Sequence, residues 1–198
     1  MKPPRFGYLR ATGLGEALDA LQAEDAKVLA GGQSLVPMLN FRLLRPALLV
    51  DINAVAELDT LEETPAGGLR IGALTRHHKL ETSPPVNKRF PILAAAVAHI
   101  GHLAIRNRGT IGGSLAHADP AAELPLMGVL LDALLTVRSK NGSRMTRASD
   151  HISGALSTTL APGEIVAMVE LPPIAAGTGW GFEECARRTG DFALAAAG

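Results

Sequence analysis

Cysteine is almost missing from this 198-residue chain. Cys185 stands alone, which excludes an intrachain disulfide and any four-cysteine zinc site or iron–sulfur cluster held by this chain by itself. Aromatic residues are scarce at 4% (five Phe, one Trp, one Tyr), too few for a platform on which nucleobases stack. There is no excess of either charge, with 19 Lys and Arg against 19 Asp and Glu, so the electrostatic footprint of a nucleic-acid or anionic-membrane partner is absent. No apolar run approaches 18 residues and the N-terminus shows no apolar signal segment; no membrane insertion is expected, and the expected compartment is the cytoplasm. Several motifs are missing too. Without GxGxxG after a strand a Rossmann dinucleotide domain is disfavoured, and without GxxxxGK[ST] a Walker-type nucleotidase is excluded. Neither a GxSxG elbow nor HExxH occurs.

What the chain does have is a normal apolar content of 47%, enough for a packed core, and an abundance of turn formers, with 21 glycines and 13 prolines. Ala17, Leu18 and Leu21 recur at helical spacing and predict a helix over 14–23. A short apolar run at 27–30 stops at Gly31-Gly32, after which Ser34 is placed to cap a helix over 35–43. The run ALLVDI (47–52) reads as a strand buried on both faces, so strand, glycine turn, helix and parallel strand form a βαβ unit. Further strands are expected at 69–73, 133–137 and 165–171, an alanine-rich helix at 91–100, and a helix opening at Pro120 behind Asp119 as N-cap. The stretch 181–198 reads as one short strand-like run whose apolar tail stops abruptly, the pattern expected of a truncated third domain.

Two segments carry paired glycines behind an apolar stretch, AGGQSL (30–35) and TIGGS (110–114). Such pairs admit positive φ and let a phosphate approach without meeting a Cβ. Successive amides in such a turn converge into an anion site, reinforced by a helix start. Two of them could grip the two phosphates of a dinucleotide, whereas a bare glycine pair is otherwise an ordinary tight turn. Arg106 and Arg108 flank the second segment, as phosphate partners or as solvated turn residues.

The segments AGGQSLVPMLNFRLLRPALLVDIN (30–53), IRNRGTIGGSLAHADPAAELP (105–125), PGEIVAMVELP (162–172) and FEECARRTGDFA (182–193), in this order, resemble the medium, FAD-binding subunit of the molybdenum hydroxylases, the relatives of carbon monoxide dehydrogenase and xanthine dehydrogenase. The resemblance implies an α+β, two-subdomain FAD-binding fold of the vanillyl-alcohol-oxidase (PCMH) type. Residues 1–54 would form a small βαβ subdomain, 55–175 a larger mixed-sheet subdomain, and 176–198 the start of a C-terminal flavoprotein domain. It further implies that Lys27, Leu29, Ala30, Gly31, Gly32, Gln33, Ser34 and Leu35 wrap the FAD pyrophosphate. Thr110, Gly113 and Ser114 would contact the ribityl and phosphate portion, and Ile100 and Gly101 would pack near the cofactor. His117, from a loop, would face it, with Glu123 and Asp119 on the flavin side and Ile165 and Val166 bordering the ring. The other five histidines read as surface or structural residues.

The function this implies is electron transfer. Substrate would be hydroxylated at a molybdopterin-bound molybdenum in a large partner subunit, and electrons would pass through [2Fe–2S] clusters of a small partner subunit to FAD here and on to an external acceptor. No catalytic residue and no metal site is then expected in this chain, in keeping with its single cysteine. Two alternatives stand beside this one: a stand-alone flavin oxidase, for which the single Tyr8 is a poor endowment, and a scaffold whose glycine pairs are mere turns.

Overall fold

A computed structural model describes residues 2–198. Three short strands alternate with helices at the start: β1 (Gly7–Arg10), α1 (Leu14–Ala20), β2 (Ala26–Leu29), α2 (Leu35–Asn40) and β3 (Leu48–Asp51). Their sheet is parallel with β3 in the middle, flanked by β1 and β2. The expected βαβ unit is therefore present, and β1, which carries no clear period, extends it. α1 buries Leu14, Ala17 and Leu18 at the i, i+3, i+4 spacing of one helical face. Both helices end earlier than their apolar patterns suggest. α2 stops at Asn40 because Arg42 turns left-handed (φ 57°) and the Leu43 amide bonds back to Met38 O at 2.9 Å. Ser34 does not cap α2 through its hydroxyl: it already has helical dihedrals (φ −98°, ψ −47°) and makes no side-chain cap bond.

A 3₁₀ turn (Ala56–Leu58) leads into the larger part of the chain. It contributes β4 (Leu61–Glu63), β5 (Leu69–Gly72), α3 (His77–Thr82), α4 (Pro84–Arg89), α5 (Pro91–His99), α6 (Leu103–Arg106), α7 (Ile111–His117), α8 (Glu123–Leu130), β6 (Leu134–Ser139), β7 (Gly142–Arg147), α9 (Ala148–His151), the small hairpin β8 (Ile152–Gly154) and β9 (Ser157–Thr158), and β10 (Ile165–Leu171). The large sheet runs β4-β5-β10-β6-β7, and each of its pairings is antiparallel. The α+β class holds, but the mixture lies between the two sheets and not within the larger one. Residues 181–198 form a hairpin of β11 (Glu183–Ala186) and β12 (Ala193–Ala197), not a single run.

β10 joins the two halves. Val166, Val169 and Leu171 face the larger core, with Phe90, Leu93, Leu124 and Leu135. Ile165 and Ala167 face a second core shared with Leu14, Leu18 and Val50 of the small unit and with Leu58 and Leu74. A strand packed on both faces needs apolar residues at successive positions, and a bulge between Val166 and Met168 resets the alternation. Two helix expectations change. α8 starts at Glu123, not Pro120, because the Asp119 carboxylate accepts from the Ala121 amide (2.9 Å) and closes a turn of its own; Ala122 is the N-cap. The pair Gly112-Gly113 lies in the first turn of α7, with Thr110 as a true cap whose Oγ1 accepts from the Gly113 amide at 3.2 Å.

Candidate functional site

Because β2 and β3 are parallel and in register (Leu29 opposite Asp51), their carboxyl ends lie side by side and the first glycine loop leaves from that edge. Crevices outside the carboxyl ends of parallel strands are where α/β sheets bind ligands. Here a crevice of about 400 Å³ is lined by Leu29 to Gln33, by Val36, Pro37 and Asn40 of α2, by Asp51 and Asn53 after β3, and by Arg108 from the second glycine region. Gly32 takes φ +74°, a conformation that suits glycine. Gly31 is needed for closeness: a Cβ there would stand 2.3 Å from Arg108 O and 2.9 Å from Gly109 Cα. The first glycine segment is thus in contact with residues 108–109, immediately before the second and more than 75 positions further along the chain.

The amides of Gly31, Gly32, Gln33 and Ser34 donate to no group among the described residues. Consecutive unpaired N–H groups at the rim of a crevice make a site for an anion. The second segment differs. Its amides are engaged: Ile111 with Thr75 O (3.1 Å), Gly112 with Ala73 O (2.9 Å), Gly113 with Thr110 Oγ1 and Ser114 with Thr110 O (3.0 Å). Gly112 has no positive φ, contrary to the expectation for paired glycines; a Cβ on it would lie 2.4 Å from that of Ala73. What the second region adds to the crevice is Arg108. Arg106 is turned elsewhere, its guanidinium bonded to Glu81 (2.8 Å) and to the carbonyls of Ile100 and Gly101 (3.1 and 3.0 Å).

Behind the crevice runs a polar chain that the sequence reading did not single out. Asp51 Oδ1 accepts from the Asn53 backbone amide (2.9 Å) and from Asn53 Nδ2 (2.6 Å), and Asp51 Oδ2 accepts from Tyr8 Oη (2.5 Å). Burial works to raise the Asp51 pKa, but the hydrogen bonds from Tyr8 and Asn53 outweigh it and hold the carboxyl below its ordinary range. Asn53 Nδ2 also donates to Ala30 O (2.9 Å), and Asn53 Oδ1 accepts from Arg76 (2.6 Å), whose other terminal nitrogen donates to Arg108 O. Just before the second segment, Gly109 packs on the ring of His77, which is 6% exposed and whose two nitrogens have no hydrogen-bond partner among the described residues. Desolvation, helped by Arg76 and Arg106, pushes its pKa down to about 4.

Of the residues expected at the site, Leu29, Ala30, Gly31, Gly32 and Gln33 line the crevice, and Ser34 and Leu35 follow at its edge. Lys27 is on β2, exposed and away from the crevice lining. Thr110, Gly113 and Ser114 open α7, and His117 sits in its last turn, on a helix and not a loop. Ile100 and Gly101 form the bend clamped by Arg106. Ile165 and Val166 are buried on opposite faces of β10, so the structure separates them. Glu123 is buried at 7% exposure, and desolvation followed by the nearby Glu184 and Asp119 carboxylates raises its pKa to about 7. Glu184, from β11, has a side chain only 2% exposed and a carboxylate oxygen with no hydrogen-bond partner among the described residues. Its sequence neighbour Glu183 is exposed, and the alternation of β11 is the signal that distinguishes them.

These observations define the class: an α+β protein of one parallel and one larger antiparallel sheet with two small hairpins, and a crevice lined by backbone amides at the carboxyl ends of its parallel strands. The particular family follows from comparison. Residues 4–174 match the FAD binding domain in molybdopterin dehydrogenase, and the chain belongs to that family. It is 48% identical over 199 residues to the 6-hydroxypseudooxynicotine dehydrogenase complex subunit alpha of Paenarthrobacter nicotinovorans, covering 100% of this chain and 67% of that protein. It is 40% identical over 197 residues to the carbon monoxide dehydrogenase medium chain of Hydrogenophaga pseudoflava, covering 98% and 68%. Among solved structures, quinoline 2-oxidoreductase from Pseudomonas putida 86 superposes with a TM-score of 0.95 at 44% identity, over 99% of this chain and 68% of that one. The chain thus spans about two thirds of the length of these relatives, and it is of the FAD-binding, medium-subunit type of the molybdenum hydroxylases, a family of oxidoreductases. Among the described residues no helix is long and apolar enough to cross a membrane.

Proposed function

We propose that this chain passes electrons, through a bound FAD, from the [2Fe–2S] clusters of a small partner subunit to an external acceptor, while a large partner subunit carries the molybdopterin-bound molybdenum. The observation that carries this reading is the run of unpaired amides at 31–34 beside a crevice of about 400 Å³, where Gly31 packs against Arg108 and Gly109 just before the second glycine segment. That arrangement fits a diphosphate: the donors are backbone, and among the described residues the one cation lining the crevice is Arg108. Gly31 to Ser34 would bind the pyrophosphate, with Lys27, Leu29, Ala30 and Leu35 shaping the loop. Thr110, Gly113, Ser114, Ile100 and Gly101 would lie along the remaining length of the cofactor, with His117, Asp119, Glu123, Ile165 and Val166 toward the ring. In this reading residues 1–54 and 55–175 are the two FAD-binding subdomains and 176–198 belong to a third unit. The bound flavin supplies the redox chemistry; the protein supplies binding, orientation and electrostatics. Titration of the purified chain with FAD, followed by quenching of flavin fluorescence, tests it. Saturable uptake that is lost when both Gly31 and Gly32 are replaced by alanine supports the reading, and absence of uptake overturns it. Reduction of the bound flavin only when the cluster-bearing and molybdenum-bearing subunits and their substrate are present would establish the direction of electron flow.

A further inference from the structure

We propose that Asn53 and Arg76 are a positioning pair that straps the first glycine segment to Arg108, just before the second, and so sets the mouth of the crevice. This rests on the flavin reading above. The bonds form one continuous path: Ala30 O accepts from Asn53 Nδ2 at 2.9 Å, Asn53 Oδ1 accepts from one Arg76 nitrogen at 2.6 Å, and a second Arg76 nitrogen donates to Arg108 O. The two carbonyls at the ends of this path, Ala30 O and Arg108 O, flank the point where Gly31 meets Arg108 and Gly109. The strap therefore spans the junction that brings the loops within contact.

Each member is suited to that task, although Asn53 also lines the crevice. Both Nδ2 hydrogens of Asn53 are used, one on Ala30 O and one on Asp51 Oδ1, and its backbone amide also bonds Asp51, so the side chain cannot flip. The planar, forked guanidinium of Arg76 reaches two acceptors on different segments at once, which a lysine ammonium on a flexible stem does not reproduce in one geometry. Arg76 precedes α3, and its backbone bridges to Thr110, so the fork is anchored beside the second segment before its side chain reaches Asn53 and Arg108 O. Neither side chain is among the crevice groups that would meet a phosphate through charge; Arg108 is.

The test uses the full chain with FAD as the probe, in wild type, Asn53→Leu, Arg76→Met, the double variant, and Arg76→Lys. Loss of a charge-assisted, two-ended link is expected to raise the FAD Kd about tenfold or more in each single variant. The double variant is expected to be no weaker than the weaker single, because breaking either end opens the same path. The ³¹P resonances of the bound pyrophosphate are expected to move while the visible flavin spectrum stays in place, a signature that a general loss of stability would not produce. Arg76→Lys is expected to remain weakened. Restoration of wild-type affinity by lysine, additive single effects, or unchanged Kd and ³¹P shifts in the variants would each overturn the strap while leaving the flavin reading intact. Failure of the wild type to take up FAD overturns that reading, and the role of the pair toward the diphosphate with it.

Discussion

Gly31 shows what a single missing Cβ does. Replacing it with alanine puts a methyl group 2.3 Å from Arg108 O, a backbone atom that cannot swing aside. Gly31→Ala is expected to push the two segments apart, cost about 2–4 kcal/mol in denaturant unfolding, and abolish saturable FAD uptake. His77 acts through its proton. Its folded pKa of about 4 lies below the ordinary value of 6.5, so the folded state binds that proton less well than the unfolded state does. The stability tied to neutral His77 is complete above pH 6.5 and is lost as pH falls through 4. His77→Leu is expected to flatten the urea midpoint between pH 6.5 and 4, in a wild-type background that falls over the same range. Glu123 has the opposite sign. With a folded pKa of about 7 against 4.5, the folded state holds its proton more tightly, so the stability tied to Glu123 is greatest below pH 4.5 and declines as pH rises through 7. Glu123→Gln is expected to remove that decline and to be more stable than wild type at pH 8, by on the order of 1–3 kcal/mol, in thermal unfolding measured across pH. No charge count anticipates these two residues, since each is defined by what surrounds it.

At the scale of elements, β10 is the most demanding. Ile165 is 4% exposed and packs on the side of α1, whereas Val169, at 1%, packs on the side of the helices. Truncating either leaves a cavity in one core only. Ile165→Ala is expected to cost about 2–4 kcal/mol, and its cavity should be felt in the protection of α1 amides rather than those of α5 in hydrogen exchange. The strand itself was legible at 165–171 because a run buried on both faces is continuously apolar, and β3 was legible for the same reason. β1, β7 and α3 were not, for GYLR, GSRMTR and HHKLET carry no apolar period. Their states come from pairing and packing: β1 with β3, β7 with β6, and α3 with the helices beneath it. The glycine pair at 112–113 looks in sequence like a turn. It becomes a helix start because Thr110 caps it and because the absent Cβ of Gly112 lets the helix sit on Ala73.

For the whole molecule, the second core is decisive. It takes Leu14, Leu18 and Val50 from the parallel sheet and Ile165 and Ala167 from the antiparallel one, with Leu58 and Leu74 between. Neither sheet can lose its partner without exposing that surface, so unfolding is expected to be a single transition, with coincident curves by far-ultraviolet circular dichroism and calorimetry. Two separated steps would mean that the shared core is too weak to couple the halves. The same packing brings the loop after β2 against the segment before α7, and the crevice is a product of that docking.

Local order along the chain was enough to specify the parallel βαβ unit, the central strand of the large sheet, and the loop 30–34 with its glycines, because periodicity, caps and small residues act over a few positions. It was not enough to specify which amides of the two glycine segments stay free, that Arg108 and not Arg106 reaches the crevice, that Ile165 and Val166 part company, or that Asn53 and Arg76 join Ala30 to Arg108. Those depend mainly on contacts between residues far apart along the chain, where a hydrogen bond or a missing methyl group matters only after two surfaces have met.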